Sequence, residues 1–168
     1  MRRVTVASLL MMVFLLGGCG DETDKPYLEF VGGGFIFNYR IGEAFYGFVA
    51  KPLRDIPEGT EIVAEFEDPA GGPPLKIKQP AKPHMLQYMF RTPGVKGIVK
   101  DRPYTVTVRL VTAGESTPLA VYTKQYSSNI NQSDVPDTAL TIGPGYHPNP
   151  ALFDAKSNSF IIPKYGKN

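Results

Sequence analysis

Glycine and proline punctuate this chain from residue 27 onward. With 17 Gly and 16 Pro in 168 residues, few stretches are left for a long helix. Proline removes a backbone donor and clashes with the preceding turn, and glycine carries an entropic cost in any regular element. The segments between these breakers read as short strands. Tyr104, Val106, Val108 and Leu110 alternate with Thr105, Thr107 and Arg109, the period of two of a sheet with one dry and one wet face. Residues 60–67 repeat the pattern: Ile62, Ala64 and Phe66 oppose Glu61, Glu65 and Glu67, with Val63 interrupting the polar side.

The remaining strands follow in order. Residues 27–31 form a short strand, and Gly32, Gly33 and Gly34 a turn or bulge after it. Residues 35–39 place Phe35, Phe37 and Tyr39 on one face. Residues 44–51 are apolar on both sides, as in a central strand. Residues 75–79 make another strand. Residues 84–91 make one with Leu86, Tyr88 and Phe90 on one face. The turn at 113–116 joins 104–110 to 119–126 as a hairpin. Short strands at about ten-residue spacing predict a β-sandwich.

Residues 93–111, the glycine turn after them and residues 118–126 resemble the last strands of immunoglobulin-like and fibronectin type III domains. That resemblance implies a tyrosine near the start of the penultimate strand that closes the corner before it. Tyr104 is the candidate. The Cys…Trp…Cys signature of antibody domains is absent, since there is no Trp. The expected fold class is all-β: an immunoglobulin-like β-sandwich over 27–126, with an irregular C-terminal extension over 127–168. Within the extension, 127–137 is polar, 138–142 a short strand and 143–150 irregular. Asn149 and Pro150 would cap and start one helical turn at 151–154. Residues 159–163 form a last apolar patch.

The N-terminus constrains location rather than fold. Arg2 and Arg3 precede an uncharged run over residues 4–16, shorter than the about 20 residues that span a bilayer. A charged start, an apolar run of this length and small residues before a cut site describe an export signal over residues 1–18. Leu16, Gly17, Gly18 and Cys19 resemble a bacterial lipobox. The resemblance implies cleavage between Gly18 and Cys19, lipidation of the Cys19 thiol and acylation of the new amino group. Each buried methylene contributes about 0.8 kcal/mol, and stable anchoring takes more than one chain. Three chains would hold the protein effectively permanently. Residues 19–26 would then be the lipidated N-terminus and tether. Gly20, rather than Asp, after the cysteine favours the outer membrane, with the domain facing the periplasm or the cell surface.

Removal of the signal takes Arg2 and Arg3 from the 18 Lys and Arg, leaving them balanced against 16 Asp and Glu. A neutral mature chain without a long basic block argues against nucleic acid as partner. Cys19 is the only cysteine, so the fold rests on packing without a disulfide. With His84 and His147 the only histidines, no metal site and no cofactor are expected. Glu61, Glu65, Glu67 and Asp68 form the densest carboxylate group. A hydrolase or a calcium site needs such oxygens, yet alternation alone places glutamates on the wet face of a strand. Ser127, Ser128 and Ser133 stand in no nucleophile motif, and Gly32–Gly34 lacks the Lys-Ser/Thr of a phosphate loop. No catalytic residue is assigned.

Residues 143–150 have the most unusual composition. Three prolines stiffen them, and an extended proline-rich segment with an aromatic can dock on a partner. Tyr146 and His147 are the candidate partner-binding residues, set against a rigid strap laid on the domain's own surface. The leading expectation is a non-enzymatic binding or structural module. It would be held to the membrane at Cys19 and would recognise an envelope protein or glycan. The alternative is an envelope hydrolase or an accessory subunit of an envelope enzyme. A deep pocket with converging carboxylates and histidine would favour the alternative, and a flat or aromatic surface the binder.

Overall fold

The computed structural model describes residues 25–161. The export signal, Gly18, Cys19 and most of the tether lie outside the described residues, as do residues 162–168. Among the described residues the chain is all-β with no α-helix. Two antiparallel sheets pack face to face. One holds β1 (Leu28–Asn38), β2 (Glu43–Pro52) and β5 (Tyr88–Arg91), in the order β1-β2-β5. The other holds β3 (Thr60–Phe66), β4 (Leu75–Pro80), β6 (Pro103–Thr112) and β7 (Ala120–Ser127), in the order β4-β3-β6-β7.

Alternation explains which side chains fill the space between them. Tyr104, Val106, Val108 and Leu110 of β6 are all fully buried, as are Ile62, Ala64 and Phe66 of β3. From the opposite sheet come Ala44, Tyr46, Phe48 and Ala50 of β2, with Tyr88 and Phe90 of β5. Aromatic rings join the layers. Phe66 meets Tyr46 edge-on at 5.2 Å and stacks with Phe48 at 5.8 Å, and Phe35 meets Tyr104 at 5.3 Å. Aromatic pairs in such geometries contribute about 0.5–1.5 kcal/mol beyond their buried area.

The open edges of the sandwich are tied by side chains. The Tyr122 hydroxyl of β7 accepts hydrogen bonds from the backbone N–H of Tyr27 (3.0 Å) and Leu28 (3.3 Å), which fixes the start of β1. On the other edge Gln79 Nε2 of β4 donates to the Met89 carbonyl of β5 at 2.6 Å. Before β6, the Tyr104 hydroxyl accepts from Val99 N–H at 2.8 Å and closes that corner.

The structure differs from the sequence expectations at four places. Residues 27–39 are not two strands: β1 runs through Gly32, Gly33 and Gly34, with a β-bulge between Phe30 and Gly32. Residues 84–87 are not strand. The Tyr88 hydroxyl both accepts from Lys82 N–H and donates to the Lys82 carbonyl, which closes the segment into a loop. His84 takes a left-handed φ of 59° there, and Leu86 is 84% exposed. Residues 143–150 are partly regular, because β9 (His147–Pro148) pairs with β8 (Thr141–Ile142). Residues 150–152 form a turn instead of a helical start. Asn149 does cap it, accepting from Ala151 N–H at 3.1 Å, but β10 (Phe153–Asp154) begins at once and pairs with β11 (Ser159–Phe160).

The start of the extension lies on the domain. Val135 and Pro136 are buried. Gln132 N–H donates to the Ile98 carbonyl at 2.7 Å, and Asn131 Oδ1 accepts from Lys100 N–H at 2.9 Å. Thr141 N–H donates to the Arg40 carbonyl at 3.1 Å. Residues 128–141 therefore strap the end of the sandwich where β1 turns into β2. Gly42 there has φ 66°, and a Cβ would press on the Pro136 and Thr138 backbone at about 3.0 Å.

Val108 is fully buried and Thr107 lies on the opposite face of β6. Val108→Ala should cost about 2 kcal/mol and lower Tm by about 4–8 °C. Thr107→Ala should stay within about 0.5 kcal/mol, and Tyr104→Phe should cost about 1 kcal/mol by leaving Val99 N–H without its partner. Thermal unfolding of the three variants checks this; equal, small effects at 107 and 108 would contradict the buried face.

Candidate binding surface

The two outer faces of the sandwich have opposite chemistry. On the four-stranded sheet, charges pair across strands. Glu65 bridges Lys76 at 2.9 Å and Arg109, Glu61 faces Lys78 at 3.4 Å, and Glu67 pairs with Arg102 at 2.5 Å. Register explains the arrangement, since Glu65 lies opposite Lys76 on β4 and Thr107 on β6. The Lys76 and Arg109 contacts hold the Glu65 carboxyl below the usual carboxylate range. Glu67 also accepts from Thr105 N–H at 3.0 Å, and Asp68 from Ala70 N–H at 3.0 Å. The carboxylates picked out in sequence are thus spent on neighbouring cations and backbone donors. Among the described residues no three His, Cys, Asp or Glu side chains gather as a metal site would require.

The middle of the outer face of β1-β2-β5 is apolar, between Glu29 opposite Lys51 at one end and Asn38 opposite Glu43 at the other. Ile36 and Met89 are 51% and 60% exposed, Phe45 and Val49 are half-buried, and the Arg91 guanidinium lies 4.6 Å over the Phe45 ring. Between these walls the floor is bare backbone, because Gly34 of β1 lies directly opposite Gly47 of β2, which in turn faces Arg91 of β5. A Cβ at Gly47 would run into the Phe90 carbonyl oxygen. The result is a shallow groove of about 310 Å³. Glycine inside a strand marks a place where another backbone or a ligand comes close.

Tyr146 and His147 sit on the tight turn between β8 and β9. Tyr146 has φ 51° and is 59% exposed, with Arg40 stacked 5.3 Å over its ring. His147 is exposed beside it, its Nε2 about 2.7 Å from where a Cβ at Gly145 would stand. Tyr146 and His147 follow the strap of residues 128–141 in the chain and stand exposed beyond it. The other histidine, His84, is in the β4–β5 loop at the opposite end of the strands. It borders a cleft of about 540 Å³ with Arg54, Asp55 and Lys82. The serines do not join either histidine: Ser128 is buried and exchanges hydrogen bonds with Ile130, and Ser127 and Ser133 are exposed. Comparison with known protein families, characterised proteins and solved structures finds no significant match.

Sequence reading missed the groove. Its signal was the lone Gly47 inside an otherwise apolar strand, together with a glycine run on the preceding strand.

Because the folded-state pKa of Glu65 lies below its unfolded value, its stabilisation is complete above the unfolded pKa of about 4.3 and is lost as pH falls through the folded value. Glu65→Gln should therefore lower Tm at pH 7, and the difference should close as pH falls below about 4. Melting curves across that range check it; a difference that persists unchanged at low pH would contradict the ion pairs.

Proposed function

We propose that this protein is a lipid-anchored binding module of the bacterial cell envelope. Cys19 carries the anchor, and the outer face of β1-β2-β5 recognises an envelope protein or glycan. The observation that carries the reading is the contrast between the two outer faces. The charged face neutralises itself strand by strand. The other exposes Ile36 and Met89 around a floor of Gly34 and Gly47. Exposed, contiguous apolar surface with aromatic and arginine side chains is what partners select.

The immunoglobulin-like reading of the sandwich is part of the same proposal. It is supported by the three-and-four strand division and by the Tyr104 hydroxyl closing the corner before the penultimate strand. Placement in the outer membrane rests on Gly20 following Cys19. Tyr146 and His147 offer a second, smaller contact at the end of the domain.

Affinity purification of the tagged lipoprotein from membranes, with partners identified by mass spectrometry, tests the reading. Met89→Glu leaves the core untouched and should reduce recovery of the partner at least about tenfold, the loss expected when a polar group is buried without a hydrogen bond. Thr123→Glu, on the charged face, should leave recovery intact. Equal recovery with all three proteins, or loss with Thr123→Glu alone, would contradict the groove as the binding face. Cys19→Ser should abolish fatty-acid labelling; a labelled variant would contradict the anchor.

A further inference from the structure

We infer that the β4–β5 loop, residues 81–87, is a membrane-contact surface that seats the tethered end of the sandwich on the lipid bilayer. The inference rests on the anchor at Cys19. It adds which face of the domain meets the lipid.

The tether reaches the fold at β1. Leu28 pairs with Pro52, and Leu53 N–H donates to the Tyr27 carbonyl at 3.0 Å. The β4–β5 loop is at that same end, because its last residue leads into Tyr88, which pairs with Ala50 two residues before Pro52. The loop carries the most exposed large hydrophobic side chain among those described, Leu86 at 84%, and next to it Met85 at 41%. The two ends of the loop are pinned together. Tyr88 is buried and its hydroxyl clasps both backbone groups of Lys82, so the segment between them is held out from the sandwich. Lys82 and His84 flank the apolar pair, and Arg54 covers the Tyr27 ring at 3.6 Å. Long cations beside apolar tips and an aromatic ring suit the boundary between lipid chains and water.

Reach decides which end touches. Residues 20–26 extend to about 20–25 Å at most. A strand of ten or eleven residues is about 35 Å long, so the tether confines the end where β1 begins to the neighbourhood of the bilayer and leaves the strapped end, with Tyr146, unconfined. Once anchored, a loop too weak to bind vesicles alone meets them at high effective concentration. The β1-β2-β5 groove then stands beside the membrane, open to a partner.

The chain has no tryptophan, so one can be introduced as a lone reporter. Leu86→Trp and Tyr146→Trp, each in the full-length lipidated protein, are reconstituted into phosphatidylcholine vesicles with and without brominated acyl chains. Leu86→Trp should lose severalfold more fluorescence to brominated lipid than Tyr146→Trp, and should be shielded from aqueous iodide. A Leu86→Trp reporter that iodide quenches as freely as Tyr146→Trp, and that brominated lipid leaves unchanged, would overturn the contact surface alone. A wild-type chain that carries no acyl groups would overturn the anchor and this surface with it.

Discussion

Tyr46 holds the two sheets in register. Its ring stacks on Phe35 at 4.6 Å, meets Phe66 edge-on and lies 6.2 Å from Tyr104. Its hydroxyl reaches out of β2 to donate to the Glu67 carbonyl, just past the end of β3. Burial, and then the negative charges of Glu67 and Asp68, push its phenol pKa far above the ordinary value, so it stays a neutral donor throughout the physiological range. The chain has one cysteine, Cys19, so no disulfide crosses the sheets. Inter-sheet packing centred on this ring does what a covalent bridge does in many extracellular sandwiches.

The same requirement shapes the outer surface. Tyr46 and Phe48 must point inward, so Gly47 between them points out, and β5 runs so close that no side chain is accommodated there. The groove is therefore a by-product of tight inner packing, widened by Gly34 on the neighbouring strand. The four-stranded sheet had no such constraint and took paired charges instead. Surface ion pairs of this kind contribute only about 0–1 kcal/mol each. They keep that face soluble and in register rather than holding the fold together. Arranged this way, one molecule has a self-contained charged face, an apolar groove on the opposite face and a strapped end.

Much of the sandwich was legible in sequence because its strands bury one face. β6 alternates from Pro103 to Leu110 and β3 does so apart from Val63, and β2 is apolar on both sides because it is central to its sheet. Errors arose where local pattern and long-range contact part. Leu86 continues the spacing of Tyr88 and Phe90 yet lies in a loop, because the Tyr88–Lys82 clasp ends the strand. The triple glycine reads as a turn or bulge; the bulge is there, between Phe30 and Gly32, but the chain stays extended and pairs along β2 through it. Ladders of two residues, as in β8–β11, are too short to leave a period. The groove was hidden for another reason: it exists only once Gly34, Gly47 and Met89, from three strands, come together. Tyr146 was picked out by composition alone, and it does stand exposed.

Native-state hydrogen exchange under increasing denaturant tests most directly whether the two sheets form one core centred on Tyr46. The account predicts that interior amides of β2, such as Phe48, and of β6, such as Val108, open with the same free energy as global unfolding. Amides of β8–β11 should exchange earlier, through local opening. Exchange of the β1-β2-β5 sheet well before β3 and β6, with its own lower opening free energy, would contradict it.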